Sequence, residues 1–243
     1  AIGIDLVIVV LGVVIGIQVS NWNQRRVVDQ QAAAFTEHLK ADLREEDWAY
    51  QLMIVYYREV RAHAELAVGA LDGTAPLPDE ALLISAYRAT QYKQRLRRRS
   101  TYDELISTGT IGLIRDRTLR DTAMRLFNSQ TIDRIVLEGV ESRYREAFRM
   151  ALPNAVQRAL GEHCGDRIIK PGDYALAGVL DYPCTTGLAG PAIADAASAL
   201  RSRPDLVPLL RVRIADLDTR LYDMTRSNQD ILENLRAIAK EKH

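Results

Sequence analysis

The sequence predicts an all-α protein in which an N-terminal transmembrane helix continues into a bundle of long helices. Residues 2–19 are apolar except for Asp5 and Gln18, and apolar residues recur at helical spacing through much of the remaining chain. Aromatic residues make up only 6% of the chain, which favours helices over a β-sandwich. We expect a transmembrane anchor at 1–20 and a water-facing helical bundle domain at 21–243, with an irregular loop insert at 161–191.

The predicted anchor has the length of a bilayer core. A helix rises about 1.5 Å per residue, so residues 2–19 reach about 27 Å, close to the hydrocarbon thickness. The apolar run is longer than that of a signal peptide, and no A-x-A cleavage site follows it. The alternative is a buried helix of a globular core. We expect Trp22, Arg25 and Arg26 to lie at the membrane interface, where indole rings and cations are common.

Three residues of the anchor are candidates for packing between transmembrane helices. Gly12 and Gly16 form a G-x-x-x-G pair, which lets a second helix approach closely. Asp5 is costly in lipid unless it lies at the interface, is protonated or has a partner. Its place near one end of the span favours the interface.

The orientation of the anchor depends on two signals that disagree. Arg25 and Arg26 would hold their flank in the cytoplasm by the positive-inside rule. Ala1 is not an initiator, so we expect further residues upstream, with enough Lys and Arg to outweigh this pair. On that expectation the N-terminus is cytoplasmic and the bulk of the chain is periplasmic.

The two cysteines support the periplasmic placement. Cys164 and Cys184 are the only cysteines and lie in the Gly/Pro-rich insert. A disulfide closing this loop would contribute about 3 kcal/mol of stability, and it would persist only in an oxidising compartment. Two unrelated thiols are the alternative. A zinc site is less favoured, because only His163 lies nearby as a further ligand.

Local signals define the order of the helices. The first helix should continue to residue 71 and stop at Asp72-Gly73, and a second should run from Asp79 towards Arg95. T-Y-D-E at 101–104 has the spacing of a capping box. Asp116 is a predicted N-cap for a long helix at 118–160, interrupted only by Gly139 and Pro153. A short helix is expected at 192–202.

A basic run divides the second helix from the capping box. Residues 93–99 carry five positive charges in seven positions. Clustered cations attract lipid headgroups or acidic partners, whereas a solvated helix end is the alternative. The predicted partner or lipid patch consists of Lys93, Arg95, Arg97, Arg98 and Arg99.

The C-terminal segment has the clearest heptad pattern in the chain. Its apolar positions alternate in steps of four and three, which predicts a coiled-coil or bundle seam with one polar member that fixes register. A seam within one chain is favoured over a seam between subunits, because other long helices are available as partners. The seam residues are Leu210, Ile214, Leu217, Leu221, Met224, Asn228, Ile231, Leu235 and Ile238.

Two stretches carry a resemblance to a family. G-V-V-I-G-I-Q-V-S-N-W-N-Q at 12–24, with a polar helix after it, resembles the anchor of an uncharacterised bacterial family of single-pass inner-membrane proteins. T-Y-D-E-L-I-S-T-G-T-I-G-L-I-R-D at 101–116 is similar to that family's central motif. Members often have glutamate where this chain has Asp5. The resemblance implies an anchored helical domain and supplies no catalytic residues.

The sequence offers little chemistry. It contains no Walker loop, no H-E-x-x-H and no serine elbow. His38 with Asp42, and Glu59 with His63, have i,i+4 spacing, but such pairs are more often surface contacts than metal sites. We therefore expect no catalytic, cofactor or metal site.

The balance of 32 basic and 32 acidic residues gives no reason to expect nucleic-acid binding. We predict a non-enzymatic accessory or scaffold subunit of a larger inner-membrane complex. Its expected partners are membrane lipids, other transmembrane helices or subunits, and a second copy of itself. The alternative is a periplasmic sensor that binds a small ligand.

Overall fold

A computed structural model describes residues 2–94, 96–168 and 178–241, with side chains from residue 11 onward. Every regular element in these ranges is helical, and they contain no strand. The prediction of an all-α fold is confirmed. The helices are α1 (Ile2–Leu71), α2 (Asp79–Ala89), α3 (Ser100–Ser107), a 3-10 turn (Ile111–Leu113), α4 (Arg117–Asn128), α5 (Thr131–Val140), α6 (Arg143–Ala151), α7 (Asn154–Cys164), α8 (Gly190–Arg201), α9 (Leu206–Tyr222), a π-helical turn (Asp223–Ser227) and α10 (Gln229–Lys240).

The first helix is 70 residues long and ends where the sequence predicts. Gly73 has a φ of 79°, a left-handed conformation that glycine adopts without steric cost, and the Asp72 N–H donates to the carbonyl of Val68 over 2.9 Å. No helix is both long and apolar enough to cross a membrane within the part of the chain that the structure describes. Asp5 and the rest of 1–10 lie outside the described side chains.

The chain forms two compact units. Unit 1 contains Ala1–Glu46, Arg97–Phe127 and Asn234–His243. Its buried side chains include Leu39, Leu43, Tyr102, Leu105, Leu126 and Phe127. The rings of Tyr102 and Phe127 pack with their centroids 4.9 Å apart. Unit 1 therefore has an apolar core of its own.

Two carboxylates of α1 fix the entry into α3. Asp42 accepts a hydrogen bond from the backbone N–H of Thr101 over 3.3 Å, and the buried Glu46 accepts one from the N–H of Arg98 over 2.7 Å. The N-cap position is Arg99, and no side chain of α3 caps its own helix. The predicted capping box at 101–104 is therefore wrong, because carboxylates more than fifty positions away supply the acceptors.

Unit 2 contains Asp47–Leu96 and Asn128–Glu233. Within it α2 packs against α6, α7 and α8, and α9 packs against α5 and α6. Alanines such as Ala64, Ala86 and Ala197 are fully buried in its core beside Leu83 and Phe148. Small side chains at these positions allow the helices to approach closely. The hydroxyl of the buried Tyr144 donates to the carbonyl of Ala86 over 2.8 Å, which joins α6 to α2.

The predicted helix at 118–160 is four helices, α4 to α7. Pro153 divides α6 from α7 as expected, since it removes a backbone donor. A further break follows α5, where Ser142 accepts from the N–H of Arg145 over 3.4 Å and caps α6. Gly139 lies inside α5, and a Cβ there would lie 2.5 Å from the Cβ of Tyr92. Gly139 therefore allows close packing and does not break the helix.

Other predicted boundaries agree more closely. Asp116 caps α4 by accepting from the N–H of Leu119 over 3.1 Å, which confirms its predicted role. The helix α2 begins at Asp79 but ends at Ala89, short of Arg95. The helix α8 spans Gly190–Arg201, close to the expected 192–202.

The heptad seam is buried within the single chain, but it is not one continuous α-helix. Leu210, Leu217, Met224, Ile231, Leu235 and Ile238 are buried, whereas Ile214, Leu221 and Asn228 are partly exposed. A π-helical turn separates α9 from α10. The Asn228 side chain donates to the carbonyl of Asp223 over 2.8 Å. Asn228 therefore satisfies the backbone of this turn, and its amide also lies 3.5 Å from the Thr131 hydroxyl of α5. Its part in setting register stays a prediction.

Candidate functional site

The first candidate site is the exposed apolar part of α1. Every residue from 11 to 31 is exposed, and nine of these side chains are large and apolar. Consecutive residues of a helix are rotated by about 100°, so the apolar residues at 11–19 point in all directions around the axis. We call residues 11–19 the α1 apolar segment. The nine side chains are Leu11, Val13, Val14, Ile15, Ile17, Val19, Trp22, Val27 and Val28.

Gly12 and Gly16 form a smooth strip on the α1 apolar segment. A Cβ added at either glycine would meet no atom within 4 Å. They lie four positions apart and so share one face of the helix. No described part of the chain fills this strip. Asp5, the third residue of the predicted packing set, lies outside the described side chains.

Trp22, Arg25 and Arg26 lie together on the exposed helix. The guanidinium of Arg26 lies 5.9 Å from the centroid of the Trp22 ring. These residues line a shallow recess that also includes Asp29. Asp29 forms an ion pair with Arg115. Neither Arg25 nor Arg26 has a carboxylate partner among the described residues.

The basic run at 93–99 is engaged within the chain, which differs from the predicted patch for a partner or lipid. It lies between α2 and α3 and is not helical. Its four described cations each have a carboxylate partner, so their charge is compensated locally. Arg95 lies outside the described residues. The ion pairs are Lys93–Asp166 at 3.1 Å, Arg97–Glu46 at 3.3 Å, Arg98–Glu45 at 2.9 Å and Arg99–Asp103 at 2.8 Å.

The second candidate site surrounds the two cysteines. The Cys164 and Cys184 sulfurs lie at disulfide distance, and their Cα atoms are 5.5 Å apart. The predicted pairing is therefore confirmed. Cys164 is the last residue of α7, so the bond joins the end of this helix to the segment before α8. Residues 169–177 of the insert lie outside the described part of the chain.

Arg88 is a buried cation beside this disulfide. Only 3% of its surface is exposed. It donates to the carbonyls of Cys164 over 3.3 Å and Tyr182 over 2.9 Å, and its guanidinium lies 4.6 Å from the Tyr182 ring. One nitrogen is 3.4 Å from the sulfur of Cys184. Burial lowers the pKa of Arg88, and its polar neighbours offset part of that cost. Arg88 therefore fixes both ends of the disulfide loop to α2.

Glu59 fixes the same loop from α1. One carboxylate oxygen accepts from the backbone N–H groups of Val179, Leu180 and Asp181, over 3.1, 2.8 and 3.3 Å. Three donors converging on one oxygen form a nest for a negative charge. Glu59 therefore organises the loop backbone.

The described residues contain no cluster of three side chains that could hold a metal ion.

Sequence reasoning missed the roles of Arg88 and Glu59. Arg88 lies 76 positions from Cys164, and Glu59 lies 120 positions from Val179. Spacing patterns in a sequence predict contacts only between residues that are close together in the chain, so they could not predict these two. The only available signal was a charged residue on the apolar face of a helix, such as Arg88 between Ala86 and Ala89.

No protein-family model, no curated protein and no solved structure matches this chain. The resemblance to a family of single-pass inner-membrane proteins therefore stays a prediction.

The buried His63 should make the protein less stable in acid. Its Nε2 lies 3.3 Å from the Arg88 guanidinium, and its Nδ1 has no hydrogen-bond partner. Burial, and next the positive charge of Arg88, lower the pKa of His63 from 6.5 to about 4, although Asp181 opposes this shift. The unfolded chain therefore binds a proton that the folded chain excludes, and stability falls as pH drops through this window.

We expect His63→Gln to reduce this loss, measured as the urea-unfolding free energy between pH 7 and pH 4. The matched control is His38→Gln, since His38 is an exposed histidine on the same helix. Equal pH dependence in both variants would show that His63 does not cause the loss.

Proposed function

We propose that this chain is a membrane-anchored accessory or scaffold subunit with a helical domain outside the bilayer. One observation carries the proposal. Apart from Gln18, the α1 apolar segment carries apolar side chains or glycine on all sides, and no described part of the chain covers it. A helix that is hydrophobic all round is typical of a protein interior or a membrane span. Together with the apolar residues at 2–10 it has the length of a bilayer core.

The proposed border of the bilayer lies near Trp22. An indole ring at this depth keeps its apolar body in lipid and its N–H in the headgroup region. Arg25 and Arg26 follow within one turn and have no carboxylate partner among the described residues. Free guanidinium groups at this level are suited to lipid phosphates.

The proposed location of the helical domain is the periplasm of a bacterium. The disulfide geometry of Cys164 and Cys184 supports an oxidising compartment, since the cytoplasm keeps thiols reduced. The buried neighbours of this pair also favour a permanent structural role. Cys164 is fully buried, and Arg88 contacts the residues on both sides of the bond.

Association with other membrane helices is the proposed activity. Gly12 and Gly16 leave a strip on which a second helix can approach closely. A second candidate function, a periplasmic bundle that binds a small ligand, is favoured by a recess in unit 2 whose lining includes Arg145 and Arg149.

A charge in the apolar segment should weaken the anchor. Leu11 lies near the centre of the predicted span, where replacing leucine by arginine costs roughly 3 kcal/mol of insertion free energy. We expect Leu11→Arg to lower the fraction of the chain that floats with membranes after carbonate extraction. Gln30→Arg adds the same charge at an exposed site beyond Trp22 and should not. An equal membrane fraction for both variants would contradict the anchor.

The orientation can be measured with a membrane-impermeant thiol reagent on spheroplasts. We expect no labelling before reduction, because Cys164 and Cys184 are paired, and labelling after reduction while the inner membrane is intact. The double variant Cys164→Ser, Cys184→Ser sets the background. Labelling that appears only after the inner membrane is opened would place the domain in the cytoplasm.

The glycine strip should control association. We expect Gly12→Leu to reduce the size of the particle that contains the chain after gentle detergent extraction, with membrane insertion unchanged. Val14→Leu is the matched control, because it enlarges a side chain on the other side of the same helix. A wild-type chain that is already a lone monomer would overturn the accessory-subunit proposal. An unchanged particle for Gly12→Leu would exclude the glycine strip.

A further inference from the structure

Unit 2 contains a small basic recess that membrane anchoring does not use. It has a volume of about 150 Å³ and lies where the end of α2 meets α6 and the start of α7. We call it the Arg145 recess. The polar residues that line it are Tyr87, Thr90 and Gln91 from the α2 side, Arg145 and Arg149 from α6, and Gln157 from α7. Its lining includes no carboxylate.

Two cations meet at the Arg145 recess without an acidic partner. Neither Arg145 nor Arg149 has a hydrogen bond or an ion pair through its side chain among the described residues. Arg145 is half-buried and lies 4.6 Å from the ring of Tyr92. Burial, followed by the positive charge of Arg149, lowers the pKa of Arg145. The site is therefore short of negative charge.

Other arginines of low exposure among the described residues have hydrogen-bond acceptors. Arg88 and Arg213 are the more buried ones, and they donate to backbone carbonyls. Arg97 is paired with Glu46, and Arg220 is held by Glu138 at 2.8 Å and Asp223 at 2.8 Å. A desolvated cation normally acquires such a partner, because an unpaired buried charge is costly. Among the described residues, the Arg145 guanidinium has only the ring of Tyr92 as a partner. An anionic ligand would supply the partner that the Arg145 guanidinium lacks.

The hydroxyl of Tyr87 is a third free donor at the Arg145 recess. It has no acceptor among the described residues. Burial, and next the charge of Asp166, raise the pKa of Tyr87, whereas the charges of Arg145 and Arg149 lower it. Asp166 is already paired with Lys93 and Tyr56. The amides are already used. Gln91 donates to the carbonyl of Tyr87 over 3.3 Å, and Gln157 donates to that of Leu152 over 2.7 Å. The unused donors are thus one hydroxyl and two guanidinium groups, which together suit an oxyanion.

The surroundings limit the size and charge of the ligand. The Arg145 recess is smaller than the roughly 300–1,000 Å³ typical of pockets for whole drug-sized ligands. A wider cleft of about 410 Å³ adjoins it and shares Arg145 and Arg149. Exposed Val140 and Met150 line this cleft, together with Glu141 and Glu146. Apolar contacts are available there, whereas the two carboxylates oppose a second negative charge.

We propose that unit 2 binds the carboxylate or phosphate group of a small anionic molecule between Arg145, Arg149 and Tyr87. The remainder of the molecule lies along Val140 and Met150 and is neutral or apolar. This binding activity goes beyond the proposed anchoring function, since no residue of α1 takes part in it.

The test is calorimetric titration of the purified full chain in a nonionic detergent, with inorganic phosphate and with hexanoate as separate probes. We expect saturable binding of at least one probe. Tighter binding of phosphate would identify a phosphoryl ligand, and tighter binding of hexanoate a carboxylate ligand with an apolar tail. Saturation by neither probe would overturn the proposal.

Variants at the Arg145 recess separate a specific site from general attraction. We expect Arg145→Gln to weaken binding at least tenfold and Tyr87→Phe to weaken it several-fold, because each removes a donor to the anion. Arg143→Gln is the matched control, since Arg143 is exposed on the same helix outside the recess, and we expect less than a twofold change. Equal losses for Arg143→Gln and Arg145→Gln would overturn the proposal.

A folding defect in Arg145→Gln would leave the proposal testable. Arg149→Gln removes the second cation from an exposed position and should weaken binding by the same mechanism, with the thermal midpoint of the wild type. Wild-type affinity in a folded Arg149→Gln together with a folded Tyr87→Phe would contradict the assigned donors.

Discussion

The buried guanidinium of Arg88 is the interaction on which much of unit 2 depends. An isolated charge in an apolar core is very costly, so its surroundings must supply polar atoms at fixed positions. The carbonyls of Cys164 and Tyr182, the Tyr182 ring and the unprotonated His63 meet this need. Arg88, which lies on α2, thereby holds together the end of α7, the loop after it and α1.

The helices and several of their ends could be predicted from the sequence, because the signals for them are local. A glycine with positive φ ends α1, Asp116 accepts the bond that starts α4, and Pro153 removes the donor that would have joined α6 to α7. The break at Ser142 was missed, because a serine interrupts a helix only when tertiary packing favours it.

The contacts that shape the candidate sites could not be read from spacing. Asp42 reaches Thr101, Glu59 reaches the loop near residue 180, and Arg145 faces Tyr87. In each case the partners are separated by more than fifty positions, so the pairing exists only after the chain has folded. The α1 apolar segment is the opposite case. Its apolar character can be read from consecutive residues. The structure adds that no described element covers it.

The bond between Cys164 and Cys184 makes the intervening residues part of a closed covalent ring. A protease that cuts the backbone once within 165–183 opens this ring without releasing a fragment, because the sulfurs still join the two sides. The helices before and after the cut would stay one molecule under non-reducing conditions. Contacts of Glu59 and Arg88 with the loop would further hold the cut ends near their original positions. Nicked chains can therefore persist as folded protein, and their damage becomes visible only on reduction.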